Sequence, residues 1–250
     1  MAGLTDADQE RFADDGFVRL PGFASKGTCD RLLAEVIDIA RAQAAGDDVG
    51  PALVLPEANL ADRAGRPEEL ASKIFKLHRL GSFAAFAAAP EVTDLVAPLA
   101  GSELDCFLSQ FIFKNPGAWG QPWHQDSYYF PFEPARPIVG VWLAVTEATL
   151  ENGCLHVLPG SHREPVHDHV PDRRPGANYG YVEIVDHDMA AAIPVLMDPG
   201  DLLLFDSHLM HRSTDNESAG VRAAMVYHYC ATGTVERTQG LVNDFVTVRP

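Results

Sequence analysis

The spacing of apolar side chains along the chain changes its period near residue 104. Before that point the apolar positions recur at helical spacing, most clearly between residues 28 and 45. The positions that share one helical face there are Leu32, Leu33, Val36, Ile37 and Ala40. Thr5 with Asp8 resembles a capping box and predicts a short helix through Phe12. Another helix is expected from Pro90, with Pro98 ending it early.

After residue 104 short apolar runs with strand character alternate with Gly and Pro turns. These runs are "DCFLSQFIFK", "IVGVWLAVTEA", "CLHVLPG", "DLLLFD" and "VRAAMVYHYCA". Helices first and strands afterwards predict an α+β protein, with a β-sandwich or barrel and helices packed outside it. We expect one domain over residues 1–250, with a helical part over about 1–103 and a β core over about 104–235. The segments 46–67 and 161–193, rich in Gly and Pro, are predicted to be loops.

Composition narrows the class of protein. A chain of 250 residues with 46% apolar residues can bury a full core without disulfides. The formal charge of −16 makes nucleic acid a poor partner. No apolar run approaches the ~20 residues of a membrane span, and the acidic N-terminus is unlike a signal peptide. Four scattered cysteines without a C-x-x-C pair are expected to be buried free thiols. We expect a cytoplasmic protein whose partner is a small-molecule substrate.

The stretch "WHQDSYYF" places an imidazole and a carboxylate two positions apart. In an extended strand the side chains of His124 and Asp126 point the same way, so they form either a hydrogen-bonded pair or two ligands of a metal. A third ligand could come from His208 or His211. Two histidines and one carboxylate suit a non-haem Fe(II) oxygenase, whose three open positions take a bidentate cosubstrate and dioxygen. If that cosubstrate is 2-oxoglutarate, its far carboxylate needs a cation, and Arg222 follows His211 by eleven residues.

Several motifs in this order resemble the phytanoyl-CoA dioxygenase family of Fe(II)/2-oxoglutarate oxygenases. In that family the distal histidine is followed by Ser at +2, Asn at +5, Ser at +7 and Arg at +11. The chain has this register from His211: Ser213, Asn216, Ser218 and Arg222. The stretches "WHQDSYYFPFEP", "ENGCLHVLPGSH" and "LTDADQERFADDGFVRLPGF" also resemble family segments. Counting from His208 breaks the register, so the resemblance selects His211 as the third ligand.

The resemblance implies a double-stranded β-helix, or jelly roll, with flanking helices and an iron site near one mouth. It assigns Fe(II) to His124, Asp126 and His211. It assigns 2-oxoglutarate to five side chains: Arg222, Ser213, Trp142, Gln110 and Lys76. The last two lie in segments less similar to the family. Dioxygen is the further cosubstrate that this resemblance implies.

Some of these residues also have structural interpretations. Trp142 shares a strand face with Gly140 and Ala144, whose small side chains leave space beside a ring, but it could be a plain core residue. Lys76 could be a solvated helix residue. The histidines 162, 167, 169 and 187 invite a second metal site, but their polar loop lacks cysteines, so we expect no metal there. The loop 161–193 is expected to help form a lid.

The expected reaction is hydroxylation of an unactivated C–H bond in a small or medium hydrophobic metabolite, with release of succinate and CO2. Epimerisation, desaturation and cyclisation use the same iron chemistry and stay open. Asp126 argues against halogenation, because related halogenases replace this ligand by a small residue. Two alternatives come from other classes: a cupin-like metal isomerase and a non-catalytic jelly-roll binding module. Oligomeric state cannot be read from the sequence.

Overall fold

The first two helices begin at residues whose side chains cap them. The computed structural model describes residues 3–238 and 242–249. The α-helices of this part are α1 Asp6–Asp15, α2 Lys26–Ala45, α3 Pro67–Leu70, α4 Gly81–Ala87 and α5 Pro90–Ala100. Thr5 and Asp8 form the predicted capping box of α1. Contrary to expectation, α5 continues past Pro98. This proline lies in the last turn, where its missing N–H removes only one helical hydrogen bond.

The remaining elements are strands and single-turn 3₁₀ helices. The 3₁₀ helices span Ala58–Leu60, Leu77–Arg79, Asp126–Tyr129 and Ser161–Arg163. The first strands are β1 Phe17–Leu20, β2 Leu53–Pro56, β3 Ala71–Phe75, β4 Leu104–Lys114, β5 Phe132–Glu133 and β6 Ile138–Ala144. They are followed by β7 Leu155–Val157, β8 Val170–Pro171, β9 Val182–Glu183, β10 Ile193–Val195 and β11 Leu202–Asp206. The last are β12 His211–Ser213, β13 Arg222–Ala231, β14 Val235–Glu236 and β15 Val246–Arg249.

Two antiparallel sheets face each other. Over residues 3–238 and 242–249 the larger sheet has eight strands in the order β1-β11-β6-β13-β4-β3-β2, with β15 paired to β4. The smaller sheet has the order β10-β7-β12. Strand β13 lies between β4 and β6; its pairing with β6 is continuous, whereas its pairing with β4 shifts by one residue between His228 and Tyr229. On the Arg222 side of that shift, the side chains of the three strands alternate together between the two faces.

The two faces of the larger sheet have different partners. On the outer face Val141 and Leu143 pack in one apolar cluster with Val36 of α2 and residues of α4 and α5. On the inner face Trp142 packs in a second cluster with Val157 of β7 and residues of β10 and β11. Two sheets around an apolar interior, with helices outside, give the predicted α+β double-stranded β-helix.

The N-terminal part contributes more to the sheet than the sequence indicated. Strands β1, β2 and β3 all lie before residue 104 and join the larger sheet, so no structural boundary falls there. The predicted loop 46–67 contains β2, which pairs with β3. The four cysteines are buried free thiols, as predicted. No single helix in the described part is long and apolar enough to cross a membrane, although the bent pair α4 and α5 together meets the length and composition criteria.

Candidate functional site

Two histidines and an aspartate converge between the sheets. His124 and His211 exchange backbone hydrogen bonds of 2.9 and 3.0 Å, which places their rings side by side. Asp126 opens a 3₁₀ helix rather than continuing an extended strand. Its Oδ1 lies 3.4 Å from His124 Nε2 and 3.7 Å from His211 Nε2. All three side chains are buried, and their ligand atoms are close enough to hold one metal ion.

Backbone carbonyls fix the orientation of both imidazoles. His124 Nδ1 donates to Pro122 O at 2.8 Å, and His211 Nδ1 donates to Leu209 O at 2.9 Å. These bonds place the proton on Nδ1 and leave Nε2 free as a metal ligand. Burial lowers the pKa of His211 to about 4, so its ring is neutral at pH 7. His208 lies outside the cluster, with its Nδ1 2.7 Å from Ser127 Oγ.

A third histidine holds the other oxygen of the aspartate. His228 of β13 donates from Nε2 to Asp126 Oδ2 at 2.7 Å and is 1% exposed. Burial alone would raise the pKa of the Asp126 carboxyl, but His211, His124 and His228 hold it well below its usual range. Asp126 Oδ1 therefore faces the two ligand histidines. The sequence analysis did not single out His228.

Arg222 lies at the opposite end of the same interior. It is 1% exposed, and its Nη2 donates to Gly153 O at 2.9 Å. Among the described residues Nε and Nη1 of Arg222 have none. Its guanidinium carbon lies 5.7 Å from the ring centroid of Trp142. Burial lowers its pKa to about 10, so the cation persists at pH 7 with two free donors. Each of these donors forms a fork with the second hydrogen of Nη2, and a carboxylate fits such a fork.

Lys114, which the sequence analysis did not single out, adds a second buried basic side chain. It pairs across strands with Arg222, and its Nζ donates to Ser213 Oγ at 2.7 Å. The same Ser213 oxygen accepts from the backbone N–H of Gln121 at 3.1 Å. Because the Ser213 oxygen accepts both hydrogen bonds, its hydroxyl proton points away from Lys114 and Gln121. Burial and the neighbouring guanidinium lower the pKa of Lys114 well below its usual value.

The structure places Lys73, rather than Lys76, at the cavity wall. Lys73 Nζ donates to Gln121 Oε1 at 3.1 Å and lies 4.9 Å from the ring centroid of Tyr181. Lys76 follows the end of β3 with a φ of 64°, and it is not among the described residues that line the cavity. A helical interpretation of this segment hid the strand alternation, which turns Lys73 and Phe75 inward. Gln110, Ser213 and Trp142 line the cavity with Arg222.

One cavity of about 600 Å³ is lined by the His-Asp-His cluster and by the side chains that surround it: His228, Arg222, Lys114, Ser213 and Lys73. Its polar end holds Arg222 and Lys114, and the histidines and the aspartate lie along its wall. The other walls are apolar: Leu53, Leu55, Phe75, Leu108, Phe130 and Val242. Tyr179 and Tyr181 of the segment 161–193 also face the cavity, and Tyr129 Oη donates to Gly180 O at 2.8 Å.

Comparisons with known proteins agree with this geometry. The family model for phytanoyl-CoA dioxygenase (PhyH) matches residues 12–224. The peroxisomal phytanoyl-CoA dioxygenase of Rattus norvegicus is 29% identical over 230 residues, which cover 89% of this chain and 67% of the relative. Across the first curated relatives, the matched region covers between half and about two thirds of their length.

Solved structures share the fold. The non-heme monooxygenase ThoJ is 26% identical with a TM-score of 0.73, over 96% of this chain and 83% of the other. The epimerase SnoN, in complex with Fe3+, alpha ketoglutarate and nogalamycin RO, is 21% identical with a TM-score of 0.70, over 94% and 87%. Since the family match spans most of the chain, and the interior holds a His-Asp-His cluster and a buried guanidinium, this chain belongs to the phytanoyl-CoA dioxygenase family and is an Fe(II)/2-oxoglutarate-dependent dioxygenase.

Proposed function

We propose that the protein hydroxylates an unactivated C–H bond of a small or medium-sized hydrophobic metabolite. The observation that supports this most is the mixed lining of one cavity, which the Arg222 guanidinium, the His-Asp-His cluster and many apolar side chains share. A pocket of this size and lining matches a small apolar ligand fixed by a few polar groups. When bound, iron supplies the oxidative decarboxylation of 2-oxoglutarate with dioxygen to succinate and CO2, coupled to C–H oxidation.

In this proposal the iron ligands are His124 Nε2, Asp126 Oδ1 and His211 Nε2. Their carbonyl-bonded Nδ1 atoms keep the two rings in the ligating tautomer. His228 binds the second carboxylate oxygen, so it positions Asp126 as a one-oxygen ligand. Such partners of metal ligands tune affinity by orienting the ligand.

Arg222 and Ser213 would bind the distal carboxylate of 2-oxoglutarate. Either unpartnered guanidinium nitrogen, together with the second hydrogen of Nη2, offers a bidentate fork, and the Ser213 hydroxyl, already accepting from Lys114, has its proton left to donate. Lys114 therefore positions Ser213. Trp142 and Gln110 would form the sides of the cosubstrate pocket. We assign to Lys73 the role that the sequence gave to Lys76, because Lys73 faces the cavity.

The surface does not favour a coenzyme A thioester as substrate. The net charge is −16, and arginines 163, 173 and 174 of the segment 161–193 could supply a local basic patch only if unpaired. Arg174 instead forms an ion pair with Asp172 at 2.6 Å, and Arg173 lies 3.9 Å from Glu183. Arg163 donates to Asp14 O. We therefore propose the free metabolite rather than its thioester. The cytoplasmic location stays a prediction, since the rat relative is named as peroxisomal.

The decisive experiment is a turnover screen of metabolite pools with Fe(II) and 2-oxoglutarate, reading succinate and product mass under ¹⁸O-labelled dioxygen. Hydroxylation predicts succinate in step with a product heavier by one labelled oxygen. A product of unchanged mass would instead indicate epimerisation, and one that has lost two hydrogens would indicate desaturation or cyclisation. Absence of succinate with every pool would contradict the proposal. The Asp126→Ala variant is the inactive control, and paired free acids and thioesters test the substrate class.

A further inference from the structure

A second group of metal-binding side chains lies outside the cavity, in the segment 161–193. Glu164 Oε2 is 2.8 Å from His167 Nε2 and 3.1 Å from His187 Nε2. All three ligand atoms lie within 4.8 Å of one another. His167 and His187 are brought together although twenty residues separate them, with their ring centroids 5.1 Å apart. Two imidazoles thus converge on one carboxylate oxygen.

The hydrogen bonding of His187 turns its Nε2 toward Glu164. Its Nδ1 donates to Asp188 O at 3.0 Å, so the other ring nitrogen faces Glu164 Oε2. At the observed separation of 3.1 Å, either a proton or a metal cation must lie between Nε2 and the carboxylate oxygen. The same arrangement occurs at the cluster in the cavity, where His124 and His211 also donate from Nδ1 to carbonyls and turn Nε2 toward Asp126 Oδ1.

The donor set and spacing fit zinc. Two imidazole nitrogens and one glutamate oxygen form a known zinc ligand set, with bonds of about 2.0–2.2 Å, which places tetrahedral ligands roughly 3.3 Å apart. The observed separations of 2.8 and 3.1 Å need only a small adjustment. The side chains of Glu164, His167 and His187 are 39, 26 and 20% exposed, so water can reach the fourth position.

We propose that Glu164, His167 and His187 form a zinc site that ties the two ends of the segment 161–193 together. The sequence analysis expected no metal here because the loop is polar and lacks cysteines, and it did not consider Glu164 as a ligand. The site would also be coupled to the iron cluster through Gln125, which lies between two iron ligands. The backbone N–H of His167 donates to Gln125 Oε1 at 2.8 Å, and the backbone N–H of Gln125 donates to His169 Nε2 at 3.1 Å.

The C-terminal end of the segment 161–193 is also hydrogen-bonded to the stretch that carries the iron ligands. The backbone N–H of Ile184, three residues before His187, donates to Trp123 O at 2.7 Å. Between the two ends lie Tyr179 and Tyr181, which line the cavity. Zinc would therefore hold a cavity wall against the stretch that carries His124 and Asp126. This role is independent of the reaction catalysed in the cavity.

Zinc stoichiometry tests the proposal directly. Full-length protein is stripped with chelator, dialysed against buffered Zn²⁺ and assayed for zinc per chain. Because zinc also fills the cavity cluster, the His211→Ala variant isolates the new site and is expected to bind one zinc. Adding His187→Ala or Glu164→Gln to that background should reduce the count to none. His156→Ala, a half-buried histidine of β7 outside both clusters, is the matched control and should leave the count at one.

Two readouts decide the outcome. If His211→Ala and His211→Ala/His187→Ala bind the same amount of zinc, the site does not exist. If the count falls from one to none with His187→Ala and with Glu164→Gln, the site is established. Co²⁺ added to His211→Ala should give the strong visible absorption of a tetrahedral site, which a six-coordinate surface ion lacks. Circular dichroism of each variant separates loss of zinc from loss of fold.

Discussion

Replacing Arg222 by methionine should stabilise the metal-free protein while removing its cosubstrate affinity. Methionine keeps the unbranched shape of the buried stem but carries neither the charge nor the donors. In the protein without cosubstrate, Nε and Nη1 of Arg222 have no partner among the described residues. A buried, incompletely paired cation costs stability, and apolar replacements of buried charges are often stabilising.

The magnitude follows from the pKa of the guanidinium. Burial lowers it from 12.5 to about 10, and each pKa unit corresponds to 1.36 kcal/mol, so the charge costs ~3 kcal/mol. Because the folded pKa of this base lies below the unfolded one, the cost is fully present below about pH 10 and vanishes only above pH 12.5. Losing the bond from the charged guanidinium to Gly153 O offsets roughly 1.5–3 kcal/mol. The net expected gain at pH 7 is therefore between about 0 and 1.5 kcal/mol.

The expected loss in the free energy of 2-oxoglutarate binding is larger than this change in stability. Two charge-assisted hydrogen bonds at about 1.5–3 kcal/mol each amount to ~3–6 kcal/mol, or about 10²- to 10⁴-fold in the Kd for 2-oxoglutarate. Arg222→Lys keeps the charge but loses the fork, so it should bind about 10- to 150-fold more weakly and gain no stability.

Urea unfolding of the metal-free variants measures the first effect, and anaerobic titration with 2-oxoglutarate in the presence of Fe(II) measures the second. The reasoning is refuted if Arg222→Met is less stable than the wild type by 1 kcal/mol or more, a threshold about equal to one net hydrogen bond. It is also refuted if that variant binds 2-oxoglutarate within about tenfold of the wild type. Arg41→Lys, in α2 and paired with Glu68, is the control for a generic arginine substitution.

Three further changes test other parts of the site. His228→Phe should weaken Fe(II) binding about 10- to 100-fold, because Asp126 loses the donor to its second oxygen; an unchanged Fe(II) titration would remove that role. Lys73→Met should raise the KM for 2-oxoglutarate or substrate, whereas Lys76→Met should leave it within about twofold, and equal effects would contradict the placement. Gly140→Ala should destabilise the protein by about 1–3 kcal/mol in urea, since its Cβ would lie 2.2 Å from an aromatic ring on β11.

Local patterns in the sequence predicted the elements whose partners are nearby in the chain. The capping box of α1, the apolar face of α2 and the alternation of β6 all follow from spacing alone. The alternation also placed Trp142 inward correctly, but the space beside Gly140 is filled by Phe205 of β11 rather than left for the Trp142 ring. That neighbour comes from a strand sixty residues away, which local spacing cannot reveal.

The residues that the sequence analysis missed also owe their roles to contacts between distant parts of the chain. Lys73 was hidden because "ASKIF" is a strand only through its pairing with β4, and the segment alone is compatible with a helix. Lys114 gains its role from Ser213, about a hundred residues later. The family register supplied His211 and Arg222, whereas the cluster of Glu164 and His187 becomes visible only when the chain is folded.

The most direct test of the iron site is an anaerobic titration of metal-free protein with ferrous salt and 2-oxoglutarate, followed by visible absorption. If His124, Asp126 and His211 hold iron beside Arg222, the wild type should develop a metal-to-ligand charge-transfer band. The band should be absent in His124→Ala and His211→Ala and unchanged in His156→Ala. A wild type that shows no band, or alanine variants that keep it at the same intensity, would contradict the assignment.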